Sequence, residues 1–597
     1  MRQGDLIKKV QLKKGINTVC LDQIYPIQPF KSKNHNIITL MIDDETMDDG
    51  IFYANKIMID AKSEETIELH VGQGFIASKD ADLTDKFLSY SHWSGGDGIY
   101  SFNMTSGKDR FDQKENMKTL FFFGDTFVGT SDLKTNQRYQ PHLMPNNSFG
   151  VYENDHIDFL VNFQEDGSVS AFYKVDPKFD ESGTIASNLT YYDRKEKNNG
   201  FLSGYLPKSL SIVFDLYDER DITHMEFYNY YSDESSMLAK RGLKQVHILG
   251  SHDGKTYDLI KEVTLSMAEH KDDKEKVSIQ KRYRYIKLDV PTKNGIGNHN
   301  DDTFDEGLYG LNLVKFFHHT HQLKDIYASS NSFLLKDYEH SWIWLQDGVV
   351  IGDHLYTLPM VINSDLNQPE GLQFCVKGVS LYKSKIINGM PDYKNAEMKM
   401  APLLVDSKTS QWLFGAAMTA NTKQAGAKNP DGYVYVYGYK TTMGLRELVV
   451  ARVLAERFEF FDDWRFYNGK DWVTDIFEAK GLLEHISCEM SVSELLDGPY
   501  QGKYIAVFTY DTNTPYVSFA LGDSLVGPFT KPQKIYKTPE QEIFKSTTYT
   551  YNAKAHPHLS KSRDILVSYN TNTYNFDHNM SNNLIYRPRF IRLKDTF

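Results

Sequence analysis

The chain has 597 residues, with 67 Lys and Arg against 79 Asp and Glu and a net charge of −12. It lacks the basic surface with which a general nucleic-acid binder displaces counterions. No apolar run approaches the ~20 residues that cross a bilayer, and the opening MRQGDLIKKVQLKKG carries charge without the apolar stretch of a secretory signal.

The length allows about three to five domains, or one large all-β unit with appendages. Three cysteines, Cys20, Cys375 and Cys488, neither make a disulfide framework nor show metal-ligand spacing. The expected setting is cytoplasmic, or secreted if a leader has been removed. Aromatic residues make up 13% of the chain, with 38 Tyr and 36 Phe, and these side chains suit the pleated surface of a sheet. Short runs such as KTLFFFGD, YVYVYGY and ILVSYNTNT alternate with Gly, Asn and Asp, while long helical periodicity is almost absent. The pattern is that of an all-β protein, sandwich or propeller.

In chain order, residues 1–80 read as a small N-terminal β segment. Residues 81–165 carry WSGGDGIYSFNM and TLFFFGDTFVG, two strands separated by a charged stretch, 105–118, expected to be a surface loop. Residues 166–318 change texture. The strand around Phe214-Asp215-Leu216, the run Val246 to Gly250 followed by Ser251 to Lys255, and Tyr285-Ile286-Lys287-Leu288 resemble a discoidin-type (coagulation-factor type C) β-sandwich. From 319 to 597 the first texture returns in the blocks 340–363, 431–473, 485–529 and 549–593. With the first block these make five meander units of roughly 45–65 residues, and radial repetition of such sheets is a propeller. The expected architecture is a five-bladed β-propeller with a β-sandwich (jelly-roll) inserted between its first two blades, through a surface loop that tolerates insertion.

If the first two strands pair as a hairpin, Asp97 of GGDG and Asp125 of GDTF fall at the same end of neighbouring strands. Strands lie roughly 4.8 Å apart, which would leave the carboxyls about 5–6 Å apart, the spacing of a retaining glycosidase pair. Each charge raises its neighbour's pKa, so one carboxyl keeps a proton near neutrality. The bland alternative is turn chemistry, because Gly-Asp is common at strand ends.

The set WSGGDGIYSFNM, LFFFGDTFVG, MPNNSFGVY, VYVYGY, LVVARV, YNAKAHPHLS and ILVSYNTN resembles a family of five-bladed β-propeller glycoside hydrolases that includes endo-D-arabinanases. The resemblance implies that Asp97 and Asp125 are the catalytic pair. The chain departs from that family by its longer loop between the two motifs and by the inserted sandwich.

Other candidates surround the pair. Asn146 and Asn147 would offer amides to sugar hydroxyls or make a turn. Trp342 and Trp344 would stack on a sugar face or pack in the core, and Asp347 would be a third carboxylate or a hairpin turn. Glu489 is a spare acid at the start of an inner strand. His556 would face the central channel and meet substrate or a water-coordinated ion, with His558 one face away. Arg452 would point inward to a carboxylate, and His318, His319 and His321 cluster in what reads as a linker. No metal site and no cofactor are expected, a structural calcium aside, and no nucleic-acid or membrane partner; oligomeric state leaves no mark in the sequence. The expected function is a glycoside hydrolase or transglycosidase acting on arabinofuranosyl or fructofuranosyl linkages of an oligo- or polysaccharide. The alternative is a non-catalytic carbohydrate-binding or scaffold protein that uses propeller and sandwich for recognition.

Overall fold

The computed structural model describes the chain apart from residues 1–4, 28–36, 40–46, 49–50, 62, 74, 111–116, 141, 165–167, 177–182, 185, 191–199, 204–206, 234, 302–306, 333, 336–340, 366–372, 546 and 596–597. The protein is all-β. Among the described residues the α-helices are three short ones, Ala81–Lys86, Glu540–Phe544 and Phe576–Ser581, and none is long and apolar enough to cross a membrane.

Five antiparallel sheets follow one another along the chain. The first orders His156–Leu160, Ser148–Glu153, Thr119–Val128 and Trp93–Asn103 from outside to inside. The second is built on Gly348–Ile351, His354–Thr357, Phe374–Ile387 and Met360–Ser364. The third runs from Leu404–Asp406 and Ser410–Ala420 through Tyr433–Thr442 and Leu445–Leu454 to two short edge strands. It therefore starts earlier than the 431–473 block expected from sequence. The fourth holds Met490–Glu494, Tyr504–Thr509, Tyr516–Gly522 and Gln533–Lys537.

The fifth sheet holds Thr548–Ala555, Asp564–Thr573 and Pro588–Asp595, and its outer strand is Phe75–Lys79. The two ends of the chain are thus joined in one sheet, with Ile591 opposite Lys79 and Leu593 opposite Ala77. Residues 75–79 belong to this closure and not to the separate N-terminal segment. The strands Trp93–Asn103, Gly348–Ile351, Ser410–Ala420, Met490–Glu494 and Thr548–Ala555 touch in that cyclic order, and the last returns to the first. Apolar residues from facing sheets fill the layers between them, as Val436, Tyr437, Val449, Val492 and Phe508 do between the third and fourth.

Ahead of this ring lies a six-stranded sheet built mainly from Asp5–Leu12, Gly15–Ile27, Ile51–Ala61 and Glu65–Gln73. Between the first and second sheets the chain makes a separate eight-stranded sheet. Its long strand Leu210–Asn229 pairs with Glu275–Val290 along most of its length. The near half also pairs with Tyr327–Ser330 and the far half with Gly310–His318. An irregularity between Asp215 and Arg220 lets the strand change partners. The sheet curls around Ile212, Phe214, Ile286, Leu288, Val314 and Phe316.

The segment expected as a surface loop at 105–118 packs, as far as it is described, against the ends of the inner strands Ser410–Ala420 and Met490–Glu494. Arg110 is buried, its Nε 3.1 Å from Glu494 Oε2 and its guanidinium bonded to the Ala420 carbonyl. Residues 111–116 lie outside the described set.

Candidate functional site

The register of the innermost hairpin, Trp93–Asn103 with Thr119–Val128, breaks between Gly96 and Gly98 and again between Gly98 and Tyr100. Gly96 faces Thr126 and Gly98 faces Phe123, which leaves Asp97 opposite Gly124 and Asp125 outside the regular ladder. Such an irregularity bends a strand and re-aims a side chain. Gly98 and Ile99 have φ of +79° and +54°; a β-branched residue there stores roughly 1–3 kcal/mol, retained only where its surroundings over-determine it. The result sets the Asp97 carboxyl over the backbone of Gly124, where a Cβ would stand 2.4 Å from Asp97 Oδ1. A side chain at 124 would displace that carboxylate.

Neighbouring sheets complete the shell. From the fifth, Tyr551 Oη donates to Asp97 Oδ2 at 2.8 Å, and the Tyr586 hydroxyl lies near enough to draw the Asp97 pKa down. On the other side, Asp125 Oδ1 accepts from Asn146 Nδ2 at 3.2 Å and from Trp344 Nε1 of the second sheet at 3.3 Å. Asp97, Asp125, Asn146 and Trp344 each keep part of their surface open. Burial raises Asp97 above its ordinary value of 3.8, and the two tyrosine hydroxyls and the Lys554 charge draw it back. Asp125 is pushed up to about 7 by burial first and then by the negative charge on Asp97. Both carboxyls are thus held above their ordinary range, and the charge on Asp97 helps to keep the proton on Asp125.

A second group sits beneath the pair. Lys554, buried on the fifth sheet, donates to the Gly98 carbonyl, lies 3.4 Å from Glu489 Oε2 and stands 4.0 Å from the centre of the Tyr100 ring. Burial lowers its pKa, and Glu489, Asp347 and Asp97 oppose that. Glu489, immediately before the strand Met490–Glu494, is raised to about 7 by burial and by the charge on Asp97, against the pull of Lys554. Asp347 is also pushed up to about 7, by burial and then by Asp109. Its carboxylate accepts from the Gly348 amide at 2.8 Å and the Met418 amide at 2.7 Å, tying the second sheet to the third.

The structure brings together Asp97, Asp125, Asn146, Glu489 and Asp347, with the last two on the Lys554 side. Asn147 turns away. Its Nδ2 donates to the Tyr173 carbonyl and its Oδ1 accepts from the Phe172 and Tyr173 amides, so its polar capacity goes to a buried loop. Trp342 packs on the core of the second and third sheets, while its strand-mate Trp344 reaches Asp125. His556 corrects the expectation of a free imidazole in the channel. Ser101 Oγ lies 2.6 Å from Nδ1 and Ser568 Oγ 2.8 Å from Nε2, and burial holds the ring well below its ordinary pKa. With both nitrogens engaged it braces the first sheet against the fifth. Arg452, expected to face a carboxylate, lies between the rings of Tyr433 and Trp472 at 4.3 and 4.2 Å. Among the described residues no three His, Cys, Asp or Glu side chains gather as a metal-binding set.

Sequence reasoning missed Tyr551, Lys554 and Tyr586. Tyr551 and Lys554 are three apart, which in a regular strand sets them on opposite faces. The register shifts between them and Asn552 takes φ of +63°, so both turn to the Asp97 side. The arrangement offers two carboxyls, both raised by burial, ringed by amide, indole and phenol donors. It can accept a proton and donate another within one opening.

The family described as a domain of unknown function (DUF5005) matches residues 310–596. No curated protein matches the chain. Among solved structures, a Bacteroides ovatus ATCC 8483 protein described as a "putative hydrolase" is similar at 15% identity, over 87% of this chain and 90% of that one, with a TM-score of 0.44.

Proposed function

We propose that the protein is a glycoside hydrolase acting on furanosidic linkages, arabinofuranosyl or fructofuranosyl, of an oligo- or polysaccharide. In this reading the five sheets are the blades of a β-propeller and the 166–318 unit is a discoidin-like insert. The observation that carries it is the placement of Asp97 and Asp125 on one hairpin within a ring of phenol, amide and indole donors, with both carboxyls raised by burial and Asp125 pushed up to about 7. Glycoside cleavage needs a division of roles, one carboxyl protonating the leaving oxygen while the other attacks the anomeric carbon or activates water. Asp125 is the general acid, and Asp97, steadied by two phenols, is the nucleophile or base. Asn146 and Trp344 hold Asp125 and contact substrate; Glu489 and Lys554 set the local charge. The furanoside class rests on the GGDG and GDTF motifs and the family they resemble.

A product screen tests the reading. Wild-type protein with arabinan, D-arabinan, fructan and nitrophenyl furanosides is expected to release sugar, and the Asp97→Asn/Asp125→Asn variant is expected to release none. Binding of one of these polymers without release by the wild type would replace the hydrolase with a recognition protein.

A further inference from the structure

Three tyrosines lead from Asp97 to the surface. Tyr551, bonded to Asp97, and Tyr549 share the strand Thr548–Ala555, with ring centroids 5.4 Å apart. Tyr574, just past the partner strand Asp564–Thr573, lies 4.5 Å from Tyr549 with the ring planes at 33°. Exposure grows along the line: Tyr549 and Tyr551 are half-buried, and Tyr574 is 63% exposed.

The outer end is held in place. Asn513 Nδ2 donates to Tyr574 Oη at 3.3 Å, the Tyr574 amide donates to the Thr547 carbonyl at 3.0 Å, and Thr573 Oγ1 donates to Thr547 Oγ1 at 2.9 Å. A large ring pinned at its tip and root, yet open to water, adds little to the core. Beside the rings stand amides. Asn572, which draws down the Tyr549 pKa, accepts from Asn579 Nδ2 at 2.8 Å, and Asn570 Nδ2 lies 3.5 Å from Tyr551 Oη. Aromatic faces rimmed by uncharged phenols and amides suit a neutral polyhydroxylated chain, whose C–H faces lie on the rings while its hydroxyls bond the rims.

We propose that Tyr551, Tyr549 and Tyr574 form a binding track for a neutral saccharide chain, continuing from the acid pair to the surface at the end of the two innermost strands of the fifth sheet. The track rests on the saccharide reading of the Asp97–Asp125 site, and continuity with that site, through the Tyr551 hydroxyl on Asp97, names its occupant.

The test is binding by titration calorimetry in the full chain carrying Asp125→Asn, with arabinofuranosyl oligosaccharides and fructo-oligosaccharides of increasing length. The parent is expected to bind more tightly as the chain lengthens. Adding Tyr574→Ala is expected to weaken the longer chains about tenfold, or about 1.4 kcal/mol, whereas Tyr574→Phe keeps the ring and the affinity. Met443→Ala, at a residue 98% exposed on a hairpin of the third sheet, is the control and should match the parent. Equal affinity of Tyr574→Ala and parent at every length overturns the track, as does failure of the parent to bind any of these oligosaccharides. If Tyr574-dependent binding stands while the wild type releases no sugar, the hydrolase reading falls and the track remains. If the wild type cleaves and Tyr574 has no effect on binding, the track alone falls.

Discussion

Removing one hydroxyl separates the roles of the two aspartates. Tyr551→Phe keeps the ring that packs on Tyr549 and deletes the donor 2.8 Å from Asp97 Oδ2, leaving the nearby Tyr586 hydroxyl in place. The Tyr551 hydroxyl favours the ionised carboxylate, so its loss raises the Asp97 pKa. A hydrogen bond to a charged group contributes ~1.5–3 kcal/mol, and at about 1.4 kcal/mol per pKa unit the rise is about one to two units. The proposed mechanism needs Asp97 ionised and Asp125 protonated. The acidic limb of kcat/KM against pH should therefore move up by that amount, while the basic limb, set by Asp125 near 7, moves little. The profile narrows and its maximum falls. The assay is kcat/KM on a nitrophenyl furanoside across the acid and neutral range, with circular dichroism to show that the fold is kept. An unmoved acidic limb would refute Asp97 as the ionised partner, and a shift of the basic limb alone would exchange the two roles.

Gly124→Ala places a methyl 2.4 Å from Asp97 Oδ1, so the carboxylate must swing off the hairpin; a displacement of that order costs roughly 10²-fold in kcat, read in steady-state kinetics against an unchanged far-UV spectrum. Asp347→Asn probes stability. A carboxyl whose folded pKa is raised to about 7 stabilises the fold fully below its unfolded value, and that contribution is lost as pH climbs to about 7. The difference in thermal midpoint, variant minus wild type, should therefore become more positive from about pH 5 to about pH 8, and parallel curves would show that Asp347 does not titrate in this way.

The approach of Asp97 to the Gly124-Asp125 step is legible because its cause is local. Two aromatic strands, a Gly-rich bulge and a Gly-Asp step are written in consecutive residues, and antiparallel pairing then brings Asp97 to Gly124 and Asp125. The residues that tune the pair come from elsewhere. Trp344, Tyr551 and Tyr586 arrive from other sheets, and the turn at Asn552 that presents Lys554 breaks the strand alternation a sequence reading relies on. His556 shows the opposite case: the expectation is an imidazole facing the central channel, yet Ser101 and Ser568 lie within hydrogen-bond distance of its two nitrogens. Arg110 sits in a run so charged that it reads as solvated loop, yet it is buried and pairs with Glu494 at the end of an inner strand. The closing strand Phe75–Lys79 has the same difficulty, because nothing within FIASK announces a partner near the other end of the chain.

The inserted unit is fixed to the ring by buried charge. Arg220, on the long strand of the insert, lies 3.6 Å from Asp325 Oδ2 and 3.1 Å from Asp462 Oδ2, and Asp462 belongs to the third sheet's connecting turn. Asp325 Oδ2 also accepts from the Phe461 amide at 2.7 Å, and Asp462 Oδ1 from the Lys324 amide at 3.1 Å. Lys399 of the second sheet stands 4.9 Å from the Tyr217 ring of the insert and 5.0 Å from the Phe461 ring. A tethered module would not bury such a junction, because unpaired charge out of water is costly. Arg220→Met removes the arginine from Asp325 and Asp462 while Lys399 still offsets the Asp325 charge, and should cost ~1–3 kcal/mol. If insert and ring unfold as one body, calorimetry gives a single wild-type transition whose midpoint falls in the variant. Two wild-type transitions, with the substitution shifting only one, would make the insert an independent appendage and refute the rigid junction.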